Sequence, residues 1–441
     1  MSQMRRWISL LASVGVSWIA IAPVASATST TPAESRTLAQ YRSAGAYFQR
    51  AMALMSQGDY RGAEAALQQV IRLDPQDAEA YNNLGLVFQA QGRIQEAIGA
   101  YERATTLDRD YGEAYNNLGV LLKQQGQTEA AMGAYRRAIR ANSRLAEAHY
   151  NLGLALYERG EYEAAEDEFE DAVRDSKGLA PAYNNLGMAR LRQDELSDAI
   201  EAFREAIALD PTLVSAHANL GHALERQGMS SEAIVALEQA LQLRPDLPAA
   251  YNSLGNAYLA QGNLDQAIAA YRNALDVQPN FAQAYLGLGD AYAQKGQIEP
   301  AAAAYREAIR YRPQIREEYR DNYAEANYKL GRALARQGNL EAAIDQFQTA
   351  LVLRPDWAPA HVGLGDAFAQ RGQYASAIAA YEQAIRHDPE SARAYNQLGE
   401  AYASVGRLDA AIEAWKTAVD LDPDYSEAYN NLGGTLPQRR Y

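Results

Sequence analysis

A Leu-Gly or Asn-Leu-Gly step returns every 34 residues, at Gly85, Gly119, Gly153, Gly187, Gly221, Gly255 and Gly289. After one eight-residue offset it resumes at Gly331, Gly365, Gly399 and Gly433. So long and regular a period is the mark of stacked supersecondary units, each burying its apolar face only against its neighbours. Length alone would divide 441 residues into about three domains. The period overrides that expectation, because a stack grows by adding units and needs no central core.

Positions are counted here from the residue seven before each glycine. Full units then begin at Ala44, Ala78, Gly112, Ala146, Ala180, Val214, Pro248, Ala282, Ala324, Ala358 and Ala392, with a half unit at Ser426. Positions 4, 7, 8 and 11, such as Tyr81, Leu84, Gly85 and Phe88, share one face of a helix. Position 15 is glycine in ten of the eleven full units, where a left-handed residue ends that helix. A second helix follows, with alanine at position 20 in all eleven units and a large side chain at position 24, as in Tyr101, Phe169, Tyr271 and Trp415. Small residues at 8, 20 and 27 let the two helices approach closely. Position 32 is proline in eight units, which stops the second helix.

Units such as Ala78-Glu79-Ala80-Tyr81-Asn82-Asn83-Leu84-Gly85 resemble the tetratricopeptide repeat (TPR) family over residues 44–436. Their wording is most similar to the repeat half of O-linked N-acetylglucosamine transferase, whose catalytic half has no counterpart here. The resemblance implies an all-α fold: a right-handed α-solenoid of antiparallel helix pairs, with about eleven full repeats and a closing helix. It also implies that the first helix of each pair lines a concave groove.

On a helix, positions 2, 5, 6, 9, 12 and 13 face away from the packed positions. The resemblance makes this stripe the groove floor. Position 6 reads Asn83, Asn117, Asn151, Asn185 and Asn219 through five consecutive units, and position 5 adds Asn82, Asn116, Asn184 and Asn252. A carboxamide both donates and accepts, so it matches an extended peptide backbone without reading its side chains. Helices about 9 Å apart would advance such a peptide roughly three residues per unit. In the transferase repeats a similar asparagine ladder holds substrate polypeptide. The alternative is that these asparagines cap local groups or are inherited with the repeat. The ladder then fails, and position 9 turns from apolar to polar or charged: His222, Asn256, Asp290, Arg332, Asp366 and Glu400. Lys329, Arg332 and Arg336 form a basic rung there, read either as a salt-bridged solvated face or as a seat for an acidic ligand group.

Other features exclude more than they suggest. With no cysteine there is no disulfide, thiolate metal site or cysteine nucleophile. A net charge of −14 argues against nucleic acid as a partner. No His-Glu-x-x-His spacing occurs, and His149, His217 and His361 sit at position 4, where most units carry tyrosine, so they read as packing residues. Gly287-Leu288-Gly289 and Gly363-Leu364-Gly365 fall within a helix and not at a strand-to-helix turn, so they form no phosphate loop. The sequence implies no metal and no cofactor. No nucleophile–base pair is recognisable, which points away from an enzyme.

Four segments depart from the period. Arg5-Arg6, the apolar stretch Trp7–Ala22 and Ala25-Ser26-Ala27 predict a signal peptide over residues 1–27, and hence export to the periplasm or another extracytoplasmic compartment of a bacterium. The alternative is a retained membrane anchor, the one route to membrane contact. Residues 28–43 are expected to be flexible up to about Glu34 and then to lead into the stack. The insert Arg316–Tyr323 is predicted to lengthen the first helix of the ninth unit from near Gln314 and to separate units over 44–315 from those over 324–425. Residues 426–441 supply a closing helix to about Leu436 and a basic tail.

Two irregularities lie close together in sequence. The second helix of the fourth unit, Glu161–Asp175, holds eight acids and reads as a solvated outer face. The fifth unit has Arg190 in place of an apolar residue and Asp194 in place of the terminating glycine, so residues 175–195 read as the loosest junction. The function expected is a non-catalytic scaffold of the cell envelope, binding extended protein or peptide segments in the groove. The alternative is a regulatory or assembly subunit acting through convex or terminal surfaces.

Overall fold

A computed structural model describes residues 32–311 and 320–435. All regular structure among them is helical. The chain forms two compact units, Met1–Ser143 and Arg144–Tyr441. The first holds α1 (Pro32–Ser56), α2 (Tyr60–Leu73), α3 (Ala78–Ala90), α4 (Ile94–Leu107), α5 (Gly112–Gln124) and α6 (Thr128–Ala141). The second opens with α7 (Ala146–Glu158), α8 (Tyr162–Asp175), α9 (Ala180–Arg192), α10 (Leu196–Leu209), α11 (Val214–Arg226) and α12 (Ser230–Leu243). It continues with α13 (Pro248–Ala260), α14 (Leu264–Val277), α15 (Ala282–Gln294), α16 (Ile298–Arg310), α17 (Arg320–Arg336) and α18 (Leu340–Leu353). It ends with α19 (Ala358–Gln370), α20 (Tyr374–His387), α21 (Ala392–Ser404), α22 (Leu408–Leu421) and α23 (Ser426–Thr435).

These bounds reproduce the paired helices read from the period. The α-solenoid of antiparallel pairs follows from three residue-level causes. The first is the turn inside each pair. Gly92 has φ +76°, and Arg93 N–H donates to Phe88 O at 2.9 Å, closing the helix end as a left-handed cap. Ten glycines do this, and Asp194 at φ +66° takes the eleventh place, with Glu195 N–H donating to Arg190 O at 3.0 Å.

The second cause is the socket within each pair. A Cβ added to Gly85 would lie 2.5 Å from the Tyr101 ring, and one added to Gly153 would lie 2.7 Å from Phe169. Only glycine at position 8 lets the ring at position 24 lie against the first helix. The alanines at position 20, from Ala63 to Ala411, are fully buried in every pair.

The third cause is the stop between units. Asp74, Asp108, Asp210, Asp388 and Asp422 each accept the backbone N–H two residues on, as Asp74 Oδ1 does from Gln76 at 3.0 Å. The residue before proline is extended, as at Asp74 with φ −135° and ψ 93°.

Two elements exceed the standard pair. α1 begins at Pro32, ahead of the unit boundary at Ala44 and of the flexibility expected up to Glu34. α17 begins at Arg320 and so carries the last four insert residues as helix, while its expected start near Gln314 lies outside the described residues. α16 packs on α17. The segments expected as a signal peptide (1–27) and a basic tail (437–441) also lie outside the described residues. No helix among the described residues is long and apolar enough to cross a membrane.

Candidate functional site: the polar stripe on the first helices

Within the second compact unit, successive first helices touch one another: α7 with α9, α9 with α11, α11 with α13, α13 with α15, and α17 with α19, α21 and α23 in turn. Their polar stripes therefore adjoin along the stack, and the side chains on them bond from unit to unit.

The asparagine ladder is built into these bonds. In the first compact unit Asn117 Nδ2 donates to Asn82 Oδ1 at 3.0 Å. In the second, Asn219 Nδ2 donates to Asn184 Oδ1 at 3.0 Å, and Asn431 Nδ2 to Asn396 Oδ1 at 3.0 Å. Asn185 Nδ2 reaches the Tyr150 hydroxyl at 3.1 Å by the same route. Each bond runs from position 6 of one unit back to position 5 of the unit before. Asn83 has a local role, donating to Glu79 O at 2.9 Å, and Asn116 and Asn151 are half-buried on the same stripe.

The carboxamides thus act first as stitches between helices. Asn82 and Asn184 are buried, whereas Asn117, Asn185 and Asn219 stay partly open. The Oδ1 atoms of Asn117 and Asn219 accept no bond from any described residue, because their tether uses Nδ2 alone. One asparagine of the stripe has no partner in the next unit. The position 35 residues beyond Asn252 is Gly287, and Asn252 Oδ1 is buried without a hydrogen-bond partner. The Tyr271 ring fills the place of the missing side chain, since a Cβ on Gly287 would lie 2.4 Å from it.

The charged positions of the later units follow a second scheme. Position 9 accepts from the phenol at position 24 of its own unit: Tyr271 donates to Asn256 Oδ1 at 2.7 Å, Tyr305 to Asp290 Oδ1 at 2.8 Å and Tyr381 to Asp366 Oδ1 at 2.9 Å. Burial, and then the adjacent carboxylates, push the phenols of Tyr305 and Tyr381 far above the ordinary tyrosine range, so both remain donors at neutral pH. The next unit then binds the same carboxylate. Lys329 Nζ lies 2.7 Å from Asp290 Oδ2 and 2.8 Å from Glu325 Oε1. Arg393 Nη2 lies 2.7 Å from Asp366 Oδ2, and Gln397 Nε2 donates to Asp366 Oδ1 at 3.4 Å. Burial disfavours the Lys329 ammonium, but Asp290 and Glu325 outweigh it and raise its pKa. Lys329 is therefore an internal stitch, whereas Arg332 and Arg336 are exposed.

The two irregularities near residue 190 prove complementary. Arg190 Nε lies 2.7 Å from Glu166 Oε1, its Nη2 lies 2.5 Å from Glu170 Oε1, and Gln193 Nε2 donates to Glu166 Oε2 at 2.6 Å. The acidic helix is thus not simply a solvated face: part of it holds α9, and the junction read as loosest carries an ion-pair network. His149 Nδ1 lies 2.7 Å from Glu168 Oε2 with the ring buried, consistent with a packing role. His217 and His361 each pair a ring nitrogen with the carbonyl of the preceding proline at 2.9 Å.

Asn396, Asn431 and Tyr150 were missed as members of the stripe, although the 35-residue spacing that joins them is present in the sequence. Gly287 and Gly363 lie inside α15 and α19, away from any phosphate-loop geometry. Among the described residues no cluster of His, Cys, Asp and Glu has the makings of a metal site.

Uniform helix pairs, a glycine–ring socket in most of them and polar stitches between first helices define an α-solenoid of helical repeats. Family profiles identify which one. Two profiles described as "Tetratricopeptide repeat" match residues 48–112, 85–144 and 116–181, and residues 280–356. One described as "TPR repeat" matches 189–228, 231–262, 255–296, 365–406 and 401–436. The chain belongs to the tetratricopeptide repeat family.

No curated protein matches the sequence. Similar solved structures include YrrB, described as a TPR protein with an unusual peptide-binding site: 24% identity, TM-score 0.39, covering 44% of this chain and 96% of that one. MamA shows 30% identity and TM-score 0.36, covering 40% and 97%. Yeast Tom70 shows 16% identity and TM-score 0.39, covering 91% and 97%.

Proposed function

We propose that this protein is a non-catalytic scaffold of the cell envelope that binds extended protein or peptide segments along its first helices. The observation that carries this reading is the orientation of the position-6 carboxamides. Asn117 in one compact unit and Asn219 in the other are each tethered through Nδ2 to the preceding first helix. The tether fixes the side chain and leaves Oδ1 as an acceptor, so the entropy of ordering it is largely met before a ligand arrives. An extended backbone presents N–H groups at regular intervals that suit such acceptors. The likeness to the repeats of O-linked N-acetylglucosamine transferase supports the same mode of binding, and the signal-like segment at residues 1–27 supports the envelope location.

The alternative, a regulatory subunit acting through the acidic outer helix, is weakened because Glu166 and Glu170 are engaged with Arg190. The test is a neutral unstructured peptide and its backbone N-methylated twin. Binding should be lost on N-methylation and weakened by Asn219→Ala. Equal binding of both peptides would refute the acceptor reading.

A further inference from the structure

We propose that Arg332 and Arg336 form a seat for a carboxylate side chain of an extended peptide lying on the first helices of the second compact unit. The proposal rests on the groove reading above and adds a preference for acidic sequence to it. α17 is the only described first helix with arginine at both positions 9 and 13. Residues four apart share a helix face, so the two arginines stand side by side on the stripe. Both side chains are exposed, and among the described residues neither forms an ion pair.

The carboxylates nearest in the stripe pair with other cations. Asp290 on one side already binds the Tyr305 hydroxyl and Lys329. Asp366 on the other binds the Tyr381 hydroxyl, Arg393 and Gln397. Both neighbouring carboxylates are thus already engaged, and the cations paired with them are those of Lys329 and Arg393, not of the α17 pair. Two like charges one turn apart repel, and a bound carboxylate relieves that repulsion while accepting from two forks.

Arg332 is also held in place. Its guanidinium lies 5.7 Å from the Tyr328 ring centroid, Tyr328 packs 4.7 Å from Trp357, and Arg354 lies 4.6 Å over Trp357. A guanidinium resting on an aromatic face keeps its N–H edge free and loses less entropy on binding. Burial raises the Tyr305 pKa, and the charges of Arg332 and Arg336 oppose that rise, so both lie within electrostatic range of the Tyr305 hydroxyl. The whole chain carries −14, so its general field repels acidic peptides, and capture of one requires a local cationic seat.

The test uses the full chain and fluorescence anisotropy with a labelled alternating Glu-Ser peptide, its Gln-Ser twin and its phosphoserine version. The Glu-Ser peptide should bind about tenfold more tightly than the Gln-Ser twin at low salt. The Arg332→Gln/Arg336→Gln variant should abolish that difference, while Arg306→Gln/Arg386→Gln, at exposed sites on second helices, should preserve it. Circular dichroism melts check that both variants fold. A difference that survives Arg332→Gln/Arg336→Gln overturns the proposal, as does a phosphoserine peptide binding more tightly than the Glu-Ser one. If the Gln-Ser twin binds and the Glu-Ser peptide binds no better, the seat is refuted and the groove reading stands. If neither binds, both are refuted.

Discussion

The same substitution should have opposite signs at two equivalent positions. Asn184 and Asn252 both occupy position 5 of a first helix, on α9 and α13. Asn184 Oδ1 receives Asn219 at 3.0 Å and Asn184 Nδ2 donates to Asn185 at 3.3 Å, whereas Asn252 Oδ1 is buried with no partner. Replacing Asn184 by leucine removes one good and one long hydrogen bond and leaves Asn219 Nδ2 without its acceptor. Each net bond is worth about 1 kcal/mol, and the freed Asn219 amide is partly open to water, so Asn184→Leu should destabilise its neighbourhood by about 2 kcal/mol. Asn252→Leu removes an orphaned carbonyl and should stabilise by about 1 kcal/mol. Position 5 tolerates apolar side chains, since Leu286 packs against the core and Val362 is buried. A helical stack opens locally, so the assay is native-state hydrogen exchange: protection should fall in α9 and α11 for Asn184→Leu and rise in α13 and α15 for Asn252→Leu. A loss of protection in α13 equal to that in α9 would refute the stitch argument, because both sites would then be answering to something other than their partners.

Two further outcomes are expected. Asp194 holds φ +66°, which glycine adopts without strain, and it forms only an exposed pair with Arg226, so Asp194→Gly should stabilise the junction by about 0.5–1 kcal/mol, read as a shift in urea midpoint. His361 stacks on His387 at 5.5 Å, in the register where Tyr285 stacks on Tyr311, and burial, with His387 adding to it, holds its pKa below 6.5. The unfolded chain therefore binds the proton more readily, and stability should fall as pH drops through 6.5 and below. His361→Tyr/His387→Tyr should flatten that decline in thermal melts between pH 7.5 and pH 5, two values chosen to bracket the ordinary histidine range.

The fold was legible because its determinants repeat. A glycine that ends a helix, an alanine that cannot be enlarged and a proline that cannot continue each act locally, so the 34-residue ruler carried them all. The identity of the stripe was legible too, but its role was not. Asn82 and Asn117 look like rungs of one ladder in sequence, and only the axial offset between first helices shows that position 5 of one unit meets position 6 of the next. The charges at position 9 were read as a groove surface because the buried phenol that anchors them lies on the other helix of the pair, though the separation is a constant 15 residues for Asn256/Tyr271, Asp290/Tyr305 and Asp366/Tyr381. Arg190 and the acidic helix were read as separate oddities, since pairing across 20 and 24 residues depends on how α9 lies on α8.

The stitch has a direction. Its acceptor sits at position 5 and faces the following unit, and its donor sits at position 6 and faces the preceding one, so an Asn-Asn unit carries both halves of the joint. Such a unit is a tile with a plug on one edge and a matching socket on the other: a tandem copy placed within a run joins on both sides with no further change. The rule also says where a run must end. Asn252 is a socket facing Gly287, a tile with no plug, and Asn431, which fills both Asn396 and Glu400, is a plug that fits two kinds of socket. Order along the chain is thus written at the edges of the tiles and not in their cores, which are alike enough to be exchanged.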